Sequence, residues 1–272
     1  MHRRRGDFSG ETRLELVPRL RAYFDDTGKL DTAVVGIGGF AASLERWKEF
    51  EPAWREVLSG FGLSWFHADD CAHFEGEFKG WNEERRRTLS RMLMDVIAKV
   101  RPTPIGAAML SSDFKSLPLH IRTGMLKDPY FHCLQTCLDG ARIEAKYADD
   151  PHERIATLFD DNDFAARARK LWQFIQHLPG NGCLLYDVAS VREVVPLQAA
   201  DWTAYEMNLE SKRLLGIDDA SKRPRMRWPM ERFLEIYDGP PMIRFFSREE
   251  LLEIYKEVPL SNVPSEGTKK GR

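Results

Sequence analysis

This sequence has few cysteines, no long apolar run and almost no net charge, and each of these absences excludes a class of protein. Four cysteines in 272 residues are too few for the disulfide framework of a small secreted domain, so we expect reduced thiols. The longest apolar stretches, such as residues 33–42, fall far short of the about 20 residues that span a bilayer. Residues 1–7 are charged and lack the apolar core of a signal peptide. Together these features predict a cytoplasmic protein with no membrane partner.

The charge balance provides no global positive field that would attract a nucleic acid. The 40 basic and 42 acidic residues leave a net charge of -2, so DNA or RNA would have to be held by local patches. One such patch interleaves basic residues with apolar and aromatic ones, and it contains Lys222, Arg223, Arg225 and Arg227. This pattern is typical of phosphate-binding loops, and equally of a solvated loop. The three consecutive arginines at 85–87 are more typical of a solvated helix face.

Strand-like and helix-like segments alternate along most of the chain. The pattern predicts strands at 20–24, 33–40, 63–66, 104–110, 154–159 and 183–188. It predicts helices after Ser43, over 83–100, after Asp128-Pro129, over 164–177 with Asp163 as its cap, and over 197–215. We therefore expect an α/β fold with a mixed central sheet flanked by helices.

The recognisable motifs end near residue 201, which suggests one main domain with additions. We assign residues 1–215 to an α/β domain and 216–260 to a helical and irregular extension packed on it. Within that extension 220–246 looks irregular, and the capping box Ser247-x-x-Glu250 begins a final helix. Residues 261–272 are polar and are expected to be a disordered tail.

Acidic residues fall at the ends of predicted strands and on one packed helix. Asp25 and Asp26 end the first strand, Asp160 ends a later one, and Asp187 lies in the last. Asp201 lies beside the apolar stripe of its helix, where an unpaired carboxylate is costly and needs a partner, a proton or a metal ion. Gathered carboxylates are hard ligands that suit Mg²⁺ or Mn²⁺. Ordinary turns and caps are the alternative for the loop clusters, and a buried hydrogen bond is the alternative for Asp201.

The chain resembles the DUF3800 family, a domain of unknown function placed among the ribonuclease H-like folds. The resembling stretches occur in the family's order, and they are Tyr23-Phe24-Asp25-Asp26-Thr27-Gly28, Val35-Gly36-Ile37-Gly38-Gly39-Phe40, Phe66-His67-Ala68-Asp69, Leu158-Phe159-Asp160 and Leu197-Gln198-Ala199-Ala200-Asp201. The family's opening motif usually reads Asp-Glu-Ser-Gly. Here Asp26 replaces the glutamate and Thr27 the serine, so a ligand at position 26 is one methylene shorter.

This resemblance implies a metal-dependent hydrolase of phosphodiesters, that is, a nuclease. Ribonuclease H-like enzymes hold divalent metals with a first-strand Asp, an acid on a later strand and an acid on a packed helix. That pattern implicates Asp25, Asp160 and Asp201 as catalytic residues, with Asp26 and Asp187 as further metal ligands. His67 occupies the family's His-Ala-x-Asp position, from which it could assist proton transfer or position a phosphate.

Three other interpretations remain open from the sequence. The first is a non-catalytic nucleic-acid-binding or regulatory module on the same fold. The second is a dinucleotide-binding protein, because the glycines after Val35 loosely match the dinucleotide fingerprint; no acidic residue follows at the required distance. The third is a zinc site at His67, Cys71 and His73, which lacks a second ligand pair with the usual spacing.

Overall fold

The computed structural model describes residues 18–27, 32–119, 122, 124–146, 154–178, 184–214, 217, 225–237 and 242–257. Within these residues six strands form one mixed sheet, in the order β5-β4-β1-β2-β3-β6. The strands are β1 Leu20–Asp26, β2 Val34–Ser43, β3 Thr103–Leu110, β4 Ile155–Asp160, β5 Leu184–Ala189 and β6 Met242–Phe246. β2 is antiparallel to both of its neighbours, β1 and β3. β4 runs parallel to β1 and β5, and β6 runs parallel to β3.

Helices cover both faces of this sheet, which confirms the α/β class and the mixed central sheet. In the described residues they are α1 Leu44–Gly60, α2 Ala68–His73, α3 Glu83–Val100, α4 Ser111–Ser116, α5 Tyr130–Lys146, α6 Ala165–Ile175, α7 Val195–Leu214, α8 Trp228–Ile236 and α9 Arg248–Glu257. One face of the sheet packs on α4, α5, α6 and α9. The other packs on α1, α2, α3, α7 and α8. Among the described helices none is long and apolar enough to cross a membrane.

Local sequence signals account for where several helices begin. Ser43 accepts a hydrogen bond from the Arg46 amide at the start of α1, as predicted. At the start of α9 the capping box is formed in both directions: the Ser247 amide donates to Glu250 and the Glu250 amide donates to Ser247. The predicted bounds of α3 are confirmed to the residue.

Glycines in β2 and β3 let α7 lie close to the sheet. A Cβ added at Gly38 would meet Met207 Sδ at 2.9 Å and the Ala204 backbone at 3.0 Å. At Gly106 it would meet the same sulfur at 2.5 Å. Real Cβ atoms do not approach other atoms this closely, so a side chain at Gly38 would press on the α7 backbone, and one at Gly106 would displace the Met207 side chain. The missing side chains therefore fix the depth at which α7 presents its residues.

Three sequence predictions about elements are wrong. Residues 63–66 form no strand; the Phe66 amide donates to the side chain of Gln198 instead of to a neighbouring strand. Asp163 does not cap α6, since the chain turns through Asn162, whose side chain accepts from the Phe164 amide. The segment 220–246 contains α8 and β6, and pairing with β3 makes β6 an edge strand of the main sheet. The predicted tail 261–272 lies outside the described residues.

Candidate active site: a carboxylate cleft at the strand ends

Two aspartates lie side by side at the carboxyl ends of neighbouring parallel strands. The pairing of β1 with β4 ends at Phe24 and Phe159, so Asp25 and Asp160 follow directly at the same level. Side chains alternate along a strand, and both carboxylates therefore project to the face that packs on α7. The ends of adjacent parallel strands are where open α/β sheets commonly bind ligands.

Asp201 reaches the same place from α7. It is only 9% exposed, and its Oδ2 accepts a hydrogen bond of 2.7 Å from the Ala68 amide at the start of α2. This is the buried hydrogen bond to a backbone amide that the sequence left open as an alternative. It occupies one carboxylate oxygen, while Oδ1 accepts no hydrogen bond from the described residues.

Asn162 ties the first two aspartates together. Its side-chain amide donates to Asp25 Oδ1 at 3.0 Å and to Asp26 Oδ1 at 3.1 Å. The Tyr130 hydroxyl lies 3.4 Å from Asp26 Oδ2 and donates to it. Oδ2 of Asp25 accepts no hydrogen bond from the described residues. Asn162 thus offsets part of the repulsion between two adjacent carboxylates and leaves one oxygen of Asp25 open to the cleft.

The carboxylates raise one another's affinity for protons. Burial raises the pKa of Asp25 well above its ordinary value, and the nearby charges of Asp201, Asp26 and Asp160 raise it further. Burial also raises the pKa of Asp201, to about 6, although the hydrogen bond from Ala68 and the neighbouring His67 oppose the shift. The pKa of Asp160 is raised by burial too, against hydrogen bonds from the Val191 and Asp161 amides. The charges of Asp201 and Asp160 thus act on Asp25, and the charge of Asp160 also acts on Asp201.

His67 is a basic side chain whose charge acts on two of the three carboxylates. Its imidazole is 35% exposed, stacks on Trp65 and lies 3.3 Å from Asp70. A positive charge on His67 lowers the pKa of both Asp160 and Asp201. The residue just before α2 therefore places an imidazole beside the carboxylate cluster.

These side chains open onto a cleft of about 730 Å³. It is lined by Asp25, Asp26, Thr27, His67, Asp69, Tyr130, Asn162, Asp163, Phe164, Arg167, Asp201 and Tyr205. The volume is within the range of small-molecule sites. Arg167 provides a guanidinium held by Asp128 at 2.6 Å and stacked over the ring of Tyr130. The buried hydroxyl of Thr27 has no hydrogen-bond partner among the described residues.

Not every predicted site residue comes to this cleft. Asp160 does not line it, although its charge acts on Asp25 and Asp201. Asp187 is exposed on the edge strand β5, two residues before the strand end, where its Oδ1 accepts from the Val188 amide. The structure therefore does not bring Asp187 to the cleft.

The predicted basic patch is divided by the structure. Lys222 and Arg223 lie outside the described residues. Arg225 is exposed, whereas Arg227 is turned inward to a 3.0 Å ion pair with the buried Glu206. The described half of the patch is thus one solvent-facing arginine and one that is anchored inside the protein.

The side chains of the cleft are of the right chemical type to bind a divalent cation, but in this structure they are not grouped closely enough to chelate one. Mg²⁺ and Mn²⁺ prefer hard oxygen ligands. The cleft offers one open carboxylate oxygen on Asp25, one on Asp201 and the unpartnered hydroxyl of Thr27. Yet among the described residues no three His, Cys, Asp or Glu side chains are grouped closely enough to hold a metal ion. Chelation by three such side chains would require them to move closer together.

The same finding applies to the zinc alternative. Cys71 is buried, and burial raises the pKa of its thiol to about 12, whereas His73 faces outward against Asp69. A thiol that resists deprotonation is a poor metal ligand. The dinucleotide alternative also lacks its geometry, since Gly36, Gly38 and Gly39 lie inside β2 and not in a turn between strand and helix.

Comparison with protein-family models, with curated protein sequences and with solved structures finds no significant match to this chain. The resemblance to DUF3800 therefore stays an expectation from the motifs. What can be said of this site rests on its own geometry.

Sequence reasoning overlooked several residues of the cleft. Asn162 lies two residues after Asp160 and was visible only as a turn residue, and Thr27, directly after Asp26, was noted only as part of the opening motif. Arg167, Tyr130 and Tyr205 carry no local signal, because they come from helices whose position against the strand ends is a tertiary property.

Proposed function

We propose that this protein is a divalent-metal-dependent hydrolase of phosphodiesters on a ribonuclease H-like fold. The observation that carries the proposal is that Asp25, from a strand end, and Asp201, from a packed helix, line one cleft. Asp160, at the end of the adjacent strand, does not line the cleft, but its charge acts on both. Carboxylates gathered in this way make a site that favours positive charge. A phosphodiester is itself an anion, so it would bind beside these carboxylates only if a cation lay between them.

The residues of the cleft have distinct roles in this proposal. Asp25 and Asp201 hold Mg²⁺ or Mn²⁺ with their open oxygens, and Asp160 and Asp26 add negative charge around it. A cation bound there supplies an activated water and neutralises charge on the phosphate. Arg167, fixed by Asp128, is available to orient a phosphate oxygen, and His67 can exchange a proton with a ligand in the cleft.

A non-catalytic binding module on the same fold is the second candidate. It is favoured by one observation: no group of three ligating side chains is ready to hold a metal in the described residues. If the amides that hold Asp25, Asp160 and Asp201 keep them in place, the cleft presents carboxylates without chelating a cation. The two candidates differ in whether the protein binds divalent metal at all.

A metal titration followed by a nuclease panel distinguishes them. We expect saturable Mg²⁺ or Mn²⁺ binding by calorimetry, lost in Asp25→Asn and Asp201→Asn and retained in Asp187→Asn, which removes the same charge outside the cleft. We expect metal-dependent cleavage of DNA or RNA with the same pattern among the variants. Absence of binding at millimolar metal would refute the hydrolase and support the binding module.

A further inference from the structure

A second cavity lies next to the carboxylate cleft and shares one wall with it. It has a volume of about 490 Å³ and is enclosed by α2, α3, α7 and the start of α8. Tyr205 of α7 lines both this cavity and the carboxylate cleft. A ligand that extends past Tyr205 would therefore touch both.

The second cavity carries an excess of positive charge. Four arginines line it, Arg86, Arg87, Arg91 and Arg227, against the two glutamates Glu83 and Glu206. Two of the arginines are engaged within the protein. The Arg86 side chain lies 2.6 Å from Glu83 and donates to the carbonyl of Ala72, and Arg227 pairs with Glu206 at 3.0 Å.

The other two arginines are available to a ligand. Arg87 is 68% exposed. Its contact with Glu83 is long, at 3.5 Å, because the same carboxylate oxygen already pairs with Arg86 at 2.6 Å. Arg91, one turn further along α3, has no ion-pair or hydrogen-bond partner among the described residues. Their spacing of four residues places both guanidinium groups on the same side of the helix. This pair forms a cationic rim suited to an anion with several oxygens.

Aromatic side chains line the same cavity. Trp228, at the first position of α8, is 40% exposed, and with Tyr205 it lines the cavity over a floor of the buried Phe66 and Trp202. An exposed tryptophan beside arginines is typical of sites where a planar ring stacks while its charged group is bound nearby. A simple anion such as free phosphate would leave this aromatic surface unused.

We infer that this cavity binds a nucleotide, with its base against Trp228 and Tyr205 and its phosphate against Arg87 and Arg91. The nucleotide is one unit of a single strand that continues past Tyr205 into the carboxylate cleft. The choice of a strand over a free nucleotide rests on the proposed function, whereas the nucleotide site itself rests on the cavity alone. The cavity thus holds the nucleotide that neighbours the phosphodiester in the carboxylate cleft.

Binding is measured by fluorescence anisotropy with fluorescein-labelled hexathymidylate in EDTA, so that no cleavage takes place. We expect Arg87→Ala and Arg91→Ala each to lower the affinity about tenfold at low salt, and each to reduce the dependence of log Kd on log salt by about one. Trp228→Ala should lower the affinity about tenfold, and Trp228→Phe should restore most of it. Lys99→Ala, which removes a positive charge from the same helix outside the cavity, is the matched control.

Three results would overturn the inference: no binding, an unchanged affinity in the arginine and tryptophan variants, or an equal loss in Lys99→Ala. Thymidine monophosphate, used as a competitor, tests the source of the nucleotide. If it binds as tightly as the oligonucleotide, the site takes a free nucleotide and the connection to the cleft is wrong. Strand binding without hydrolysis under any metal would refute the proposed hydrolase alone. Hydrolysis with affinity independent of the cavity variants would refute the nucleotide site alone.

Discussion

Replacing Asp201 by asparagine should make the folded protein more stable at neutral pH. The substitution keeps the size of the side chain and an oxygen that can accept the hydrogen bond from the Ala68 amide. It removes a charge from a group that is 9% exposed and lies near Asp160 and Asp25. The variant therefore isolates the electrostatic cost of ionising this carboxyl group.

The magnitude follows from the pKa of the group in the folded protein. Burial raises the pKa of Asp201 from 3.8 to about 6, so the folded state holds this proton more tightly than the unfolded chain does. Ionisation at neutral pH consequently costs the folded state about 3 kcal/mol. This is a sizeable part of the about 5–15 kcal/mol that typically separates folded and unfolded states.

The sign determines how the effect depends on pH. At a pH below about 4 the group is protonated in both states, and the variant and the wild type should be equally stable. As the pH rises through about 4–6 only the unfolded wild type loses the proton, so the wild type loses stability relative to Asp201→Asn. Above the folded pKa the difference should level off at about 3 kcal/mol in favour of the variant.

Urea denaturation in EDTA at a series of pH values measures this difference. Asp187→Asn is the control, since its carboxylate is exposed on β5, and we expect its stability to stay within about 0.5 kcal/mol of wild type at every pH. Added Mg²⁺ should stabilise the wild type and leave Asp201→Asn unchanged. If Asp201→Asn is less stable than wild type at pH 7.5, or if its advantage does not depend on pH, the electrostatic account of the cleft is incorrect.

Three further substitutions test how the fold positions the cleft, each by urea denaturation. Gly38→Ala should lower the free energy of unfolding by about 1–3 kcal/mol, because its Cβ would lie 2.9 Å from Met207 Sδ. Gly60→Ala, with no atom within 4 Å of the new Cβ, should not lower it. Equal effects of the two substitutions would refute the close approach of α7. Asn162→Ala should lower the free energy of unfolding by about 1–3 kcal/mol at neutral pH, because Asp25 and Asp26 lose the amide that donates to both. No loss would mean that Asn162 does not join the two carboxylates. Ser247→Ala should lower the free energy of unfolding by about 0.5–2 kcal/mol, because it removes the cap of α9. An unchanged stability would mean that α9 is not docked on the rest of the protein.

The carboxylate cleft and the neighbouring cavity together suggest how the near-zero net charge is distributed. Negative charge is concentrated where Asp25, Asp160 and Asp201 meet, and positive charge lines the cavity around Arg87 and Arg91. A chain that binds a polyanion needs positive charge along the path and tolerates negative charge only where a cation can sit. The total charge reports neither feature, because they cancel in the sum.

Local patterns in the sequence were sufficient for the class of fold and most of its elements. Alternation and helical periodicity depend on neighbouring residues alone, and they located five of the six described strands and the bounds of α3. They failed at 63–66, where an apolar segment is held by the side chain of Gln198, and at β6, whose identity as a strand comes from its pairing with β3. Both failures concern contacts with distant residues.

The site shows the same division between local and distant information. The sequence by itself determined which residue types were available and that Asp25, Asp160 and Asp201 end strands or lie beside a packed face. Only the tertiary structure decided that β1 and β4 are parallel neighbours, that glycines in β2 and β3 bring α7 down to them, and that Asp187 remains outside on an edge strand. The pairing of β1 with β4 and the depth of α7 depend on contacts between residues more than a hundred positions apart, and such contacts leave no periodic trace in a single sequence.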